Sequence, residues 1–117
     1  MNPQTFHEHL EQYRRLAQTT LALDEELGTH HGIGWADLVL LDLLQTKGDP
    51  ITTAQVAACQ GLTPTRLLLQ VLPMAKLGLL KRTRQPDGTR ALALTPAGLR
   101  VLTEAKVTAE AVLGLAH

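Results

Sequence analysis

At 117 residues the chain has room for one compact domain and not for two. Apolar residues at 44% and charged residues at 19% exclude a disordered chain, and a single Phe, Tyr and Trp exclude the stacking platforms of sheet-based RNA binders and single-strand channels. The net charge of zero is a cancellation: residues 1–60 carry three basic side chains against eight acidic ones, residues 61–106 carry eight basic against two acidic, and Glu110 completes the balance.

Phe6, Leu10, Tyr13, Ala17 and Leu21 recur at steps of three and four, which predicts a long helix over residues 3–27. A second stripe of Leu16, Thr20, Leu23 and Leu27 widens its apolar face and predicts burial on two sides, against its own domain and against a second subunit. Gly28 to Gly34 reads as a break. Trp35 to Gln45 is apolar around most of its circumference and is expected to be a central helix, ended by Lys47-Gly48-Asp49-Pro50. Thr52 and Gln55 form a capping box that opens a short helix, which Gly61 closes. Thr63-Pro64 then supplies an N-cap and a proline at the first helical position, and the next helix runs toward Leu77 and stops at Gly78. Two short helices about Gly61-Leu62 form a helix-turn-helix pattern.

Leu79 to Thr83 and Thr89 to Leu94 flank the tight-turn signal Pro86-Asp87-Gly88, and predict a small β-hairpin with Arg82, Arg84 and Arg90 on its arms. Thr95-Pro96 repeats the cap signature and opens a last helix that reaches Leu115. The expected fold is mainly α with a small β-hairpin wing, a winged helix-turn-helix over residues 35–95 with long helices in 1–34 and 96–117. An acidic first half and a basic second half make the second half the candidate surface for a polyanion.

In this order the sequence resembles the MarR family of bacterial winged-helix transcriptional regulators. Gly32-Ile33-Gly34-Trp35-Ala36-Asp37-Leu38-Val39-Leu40-Leu41 stands where the family begins its second helix. Thr52-Thr53-Ala54-Gln55-Val56-Ala57 matches the first helix of the helix-turn-helix, and Gly61-Leu62-Thr63-Pro64-Thr65-Arg66 resembles the turn and the start of the recognition helix. Lys76-Leu77-Gly78-Leu79-Leu80-Lys81-Arg82 resembles the exit into the wing, and Leu94-Thr95-Pro96-Ala97-Gly98 the opening of the next helix. Each motif alone is weak; five in register across residues 30–103 carry the resemblance.

The resemblance implies a homodimer joined by the terminal helices in 1–34 and 96–117, with two recognition helices in successive major grooves of double-stranded DNA. It implies a repressor, and regulation by a small ligand bound between the dimerisation and DNA-binding parts, for which the sequence names no contact residues. The family usually continues into one more dimerisation helix, so a dimer of this chain, which stops at His117, is expected to rest on its first and last helices.

The residues expected to contact DNA are Thr63, Thr65, Arg66, Leu69 and Lys76 on the helix at 64–77, and Lys81, Arg82, Arg84 and Arg90 in the wing at 81–94. Thr65 and Arg66 would enter the major groove, while the wing cations hold phosphates, which sets register without reading sequence. Thr63 is a cap that also reaches a phosphate. Where the family usually has a basic or polar reading residue, this chain has Leu69, which can touch a thymine methyl but cannot make a bidentate hydrogen bond. Pro73 removes a backbone donor and crowds the Leu69 carbonyl, which predicts a kink or an early end. The wing is short, with only Arg90-Ala91-Leu92-Ala93 between the turn and Leu94. The strip Leu68, Leu69 and Leu72 supports a second reading, a protein-binding module such as an anti-repressor or accessory subunit.

The single cysteine excludes an internal disulfide, and Cys59 has no adjacent Lys or Arg to activate it, so it reads as a quiet side chain and not a redox sensor. No metal is expected, since His7 and His9 are poorly spaced for one helix face and no acidic residue closely flanks His30-His31. Tyr13 and Trp35 read as core residues, with a ligand pocket as the alternative. No phosphate-cradling glycine loop, nucleophile elbow or metalloprotease motif is present, so neither an enzyme nor a cofactor is expected. No apolar run approaches the ~18 residues of a membrane span. Glu8 and Glu11 stand where a signal peptide would be apolar, and a cytoplasmic location is expected.

Overall fold

The computed structural model describes residues 2–48 and 50–115. Met1, Asp49 of the expected second-helix stop, and Ala116 and His117 of the expected 96–117 segment lie outside the described residues. Among the described residues the order is α1 (Pro3–His31), α2 (Trp35–Lys47), β1 (Ile51–Thr52), α3 (Thr53–Gln60), α4 (Pro64–Lys76), β2 (Leu80–Arg84), β3 (Arg90–Leu94) and α5 (Pro96–Val112). The strands form an antiparallel sheet in the order β1-β3-β2.

Helix α1 starts on Asn2, whose side chain accepts from the Gln4 amide at 2.9 Å. It continues one turn past the expected end at Leu27, so the break expected over 28–34 shrinks to Gly32–Gly34. A helical glycine costs about 1 kcal/mol, and the extra turn offsets that with new contacts. The Gly32 amide donates to the Gly28 carbonyl, with Gly32 itself in the left-handed region at φ 71°, and His31 Nε2 shares a 2.7 Å hydrogen bond with Thr108 Oγ1 of α5. The burial of α1 divides along its length and cuts across its two apolar stripes. Leu23 and Leu27 are buried against the rest of the domain, whereas Phe6, Tyr13, Leu16 and Leu21 are exposed. Of the two-sided burial expected for this helix, the chain itself provides one side.

Helix α2 is central, with Leu38, Leu40, Leu41 and Leu44 all buried. Its first amides are satisfied by carboxylates: Trp35 N–H donates to Asp24 of α1 at 2.7 Å, and Gly34 N–H donates to Asp37 at 3.0 Å. Strand β1 is not expected from the sequence. Two residues are too few to show alternation, and it exists because Ile51 and Thr52 pair with Leu92 and Ala91 of β3.

Pro73 does not end α4, which runs on to Lys76. The proline sits in the last turn, where only one intrahelical bond is lost, and the exit is closed by a Schellman arrangement. Leu79 N–H donates to Met74 O and Gly78 N–H to Ala75 O, both at 3.0 Å, with Gly78 at φ 79°. Helix α5 ends at Val112, three residues short of Leu115, in a second such turn through Gly114. Its start explains the Leu94-Thr95-Pro96-Ala97-Gly98 motif. Thr95 Oγ1 accepts from Gly98 N–H at 3.0 Å and donates to the Gly78 carbonyl at 2.6 Å, and a Cβ on Gly98 would overlap the Leu79 carbonyl oxygen. One short segment thereby clamps α5 to the exit of α4.

Candidate nucleic-acid interface

Three caps hold the helix-turn-helix. Thr52 Oγ1 accepts from Gln55 N–H at 3.2 Å, Gly61 turns α3 off at φ 66°, and Thr63 Oγ1 accepts from Arg66 N–H at 3.2 Å. Gln70 donates from Nε2 to Asp37 at 3.2 Å, so the carboxylate that caps α2 also sets the rotation of α4. Leu67, Val71 and Met74 are buried, as the 100° stepping of the sequence requires, and they turn the opposite side of α4 outward. That outer side carries Thr65, Leu69, Leu72 and Lys76, all exposed, with Arg66 and Leu68 on its flanks.

Between the first turns of α3 and α4 and the β2–β3 hairpin lies a groove of about 530 Å³. Thr65, Leu68, Arg82, Arg84 and Arg90 line it, and Thr53 and Ala54 close its far wall. Of the sequence-expected DNA residues, the groove thus collects Thr65 and three wing arginines. Thr63, Arg66, Leu69 and Lys76 lie outside it, at the cap and along the outer side of α4. The strand register separates Lys81 from the arginines: paired residues share a face, so Arg82, Arg84, Arg90 and Leu92 project on one side and Lys81 and Ala93 on the other. Sequence reading missed Thr53 and Ala54, whose signal was their place in the first turn of a capped helix.

Arg84 and Arg90 are direct cross-strand partners at the end of the ladder. Like charges so placed repel. Among the described residues the ion pairs are Arg15–Glu11, His30–Glu26 and Lys106–Asp42, so no carboxylate neutralises Arg66, Lys76, Lys81, Arg82, Arg84 or Arg90. The one acid on the hairpin, Asp87, is turned into its own turn. It accepts from Thr89 N–H at 2.8 Å, and hydrogen bonds from the Thr89 side chain and then its backbone hold its carboxyl below the usual range.

The alternative sites look different. Glu26 lies 3.3 Å from His30, a closer acid than the sequence reading allowed, yet no group of three or more potential metal ligands occurs among the described residues. Cys59 is exposed, in a shallow pocket with Lys47 and Gln55. Tyr13 is exposed on α1, which corrects its assignment to the core, and the groove it lines does not include Trp35, which packs against the core. No described helix is long and apolar enough to cross a membrane.

The architecture is a winged helix of the MarR type. A MarR-family transcriptional regulator from a Rhodococcus species superposes with a TM-score of 0.86 at 23% identity, covering 97% of this chain and 82% of that one. CouR from Rhodococcus jostii, solved bound to p-coumaroyl-CoA, gives 0.78 at 25% identity, covering 87% and 72%. The Mycobacterium tuberculosis regulator MOSR, solved in complex with DNA, gives 0.78 at 22% identity, covering 90% and 76%. No protein-family model and no curated protein matches the sequence.

Proposed function

We propose that this chain is a DNA-binding transcriptional regulator, a homodimeric repressor that sets α4 in the major groove and grips the adjacent backbone with the hairpin. The observation that carries the reading is the Arg84–Arg90 pair: two unneutralised guanidinium groups face each other across a hairpin, beside Arg82 and the N-terminus of α4. Such a pair is a cost in the free protein that a phosphate chain turns into an attraction. The superposition on a regulator solved with DNA supports the same reading, and the one solved with an acyl-CoA supports control by a small molecule. A dimer is supported by α1, whose exposed Phe6, Tyr13, Leu16 and Leu21 leave an apolar stripe that its own domain does not cover. The MarR-family protein from a Rhodococcus species and MOSR from Mycobacterium tuberculosis are transcriptional regulators, which supports a role without catalysis.

Fluorescence anisotropy tests this directly. The chain should prefer the duplex upstream of its own gene over an unrelated duplex of equal length, with affinity falling steeply as salt rises. Arg84→Ala should weaken both duplexes and reduce the log–log salt slope by about 0.9 for each phosphate that the variant no longer neutralises. Absence of binding to any duplex at low salt would sink the proposal.

A further inference from the structure

The outer face of α4 has an odd chemistry for a surface that reads bases. Hydrogen-bonding side chains occur only at its ends, Thr65 and Arg66 in the first turn and Lys76 in the last. Between them the exposed residues are Leu68, Leu69, Leu72 and Pro73, none with a side-chain donor or acceptor. Leu69 is 67% exposed, the most open of the leucines on this helix, and lies at the centre of the outer face. The strip is not a spare apolar patch far from the cations. Arg66 precedes it on the same helix, and Leu68 shares the groove with Arg82, Arg84 and Arg90. Its occupant must therefore combine dense negative charge with an apolar group set back from that charge. Duplex DNA does so at one place: the major-groove edge carries hydrogen-bonding groups on all four bases, and a methyl group on thymine alone.

We infer that Leu69, together with Leu72, is a specificity residue for thymine, selecting base pairs by contact with the 5-methyl group and not by hydrogen bonding. The inference rests on the DNA-binding reading above and names the base it selects. Thr65 and Arg66 then read the neighbouring step by hydrogen bonds, and the wing arginines contribute affinity that is indifferent to sequence.

The test replaces thymine by deoxyuridine, which removes the methyl and leaves every charge, donor and acceptor in place. Duplexes enriched by the full-length chain from a random pool are resynthesised with deoxyuridine, and both forms are titrated. The enriched sequences should share thymines, and affinity should fall about fourfold for each thymine facing Leu69 or Leu72. Leu69→Ala, at an exposed site where folding is not at stake, should lose the share of the ratio owed to the thymine facing Leu69, and the Leu69→Ala, Leu72→Ala double variant should bind both forms with a ratio close to one. Arg84→Ala should weaken both forms equally and keep the wild-type ratio. Equal binding of the two forms by the wild type would overturn the inference and leave DNA binding standing. A deoxyuridine penalty that survives in the Leu69→Ala, Leu72→Ala double variant would place thymine recognition elsewhere. Failure to bind any duplex would overturn both readings and assign the leucine strip to a protein partner.

Discussion

The helix-turn-helix body and the first two thirds of α1 are both helical, yet they are held by different means. In the body, α3, α4 and α5 each begin on a threonine cap, and left-handed glycines, Gly61 and Gly78, close α3 and α4. Asp24, Asp37 and Thr95 tie one element to the next. In the arm, Asn2 is the sole described cap, and no residue from Pro3 to Ala22 is buried. Helices shorter than about 12–15 residues are marginal in water on propensity alone, and longer ones still gain most of their stability from packing. The body's geometry is thus set by its own buried contacts, whereas the first two thirds of α1 contribute no buried residue. In the proposed dimer, the difference separates the part that aims α4 from the part that would set the distance between two copies of it.

The sharpest way to break the body alone is Gly98→Ala. The new methyl would meet the Leu79 backbone carbonyl, and a backbone atom held in the Schellman exit of α4 has nowhere to go. Overpacking of this kind costs about 3 kcal/mol or less where side chains can yield, and this site offers only main chain, so the loss should reach at least that value. Thermal unfolding should show the midpoint falling by many degrees, with DNA binding lost in parallel. An unchanged midpoint would mean that α5 does not approach the wing so closely.

The capped body was legible in the sequence because its signals are local. Thr52-x-x-Gln55, Thr63-Pro64, Thr95-Pro96 and the closing glycines each act within a few residues, and all appear where the sequence puts them. What was not legible depends on distant partners. Strand β1 exists only through β3, the last turn of α1 is retained by Thr108, and Pro73 is tolerated because the chain reverses immediately after it. The site divides in the same way. The outward face of α4 follows from helical stepping and the separation of Lys81 from Arg82 and Arg84 from strand alternation, while the placing of Arg90 on their face follows from strand register, which the sequence does not show until the hairpin pairing is known.

The arm can be broken without touching the body. Tyr13→Glu with Leu16→Glu places two charges on its exposed stripe, at 71% and 63% exposure, so the body should lose no more than about 0.5 kcal/mol. Sedimentation should then show a dimer converted to monomer. Affinity for a two-fold symmetric duplex should fall about a hundredfold as the second reading helix ceases to be tethered, while binding to a single half-site stays constant. A double variant that remains dimeric would move the subunit contact away from this stripe.

The smallest effect sharpens the contrast within the body, at the hairpin tip. Asp87 has a depressed carboxyl pKa in the folded chain, because the Thr89 hydroxyl and amide bond its charged form. A depressed value means that its contribution to the turn is present above the unfolded pKa of about 3.9 and is lost as pH falls through the lower folded value. At neutral pH the group is a full negative charge on the same hairpin as Arg84 and Arg90. Asp87→Asn keeps an oxygen that can accept from Thr89 N–H and deletes that charge. Affinity for any duplex should therefore rise about two- to threefold at low salt, and the gain should fade as the Debye length shortens toward 0.15 M. The same substitution should remove the hairpin's acid transition below pH 4, seen as the loss of a pH-dependent shift at the Thr89 amide by NMR. A rise in affinity that persists at high salt would instead mean that Asp87 shapes the turn more than it repels the phosphates, and that the wing's grip is steric before it is electrostatic.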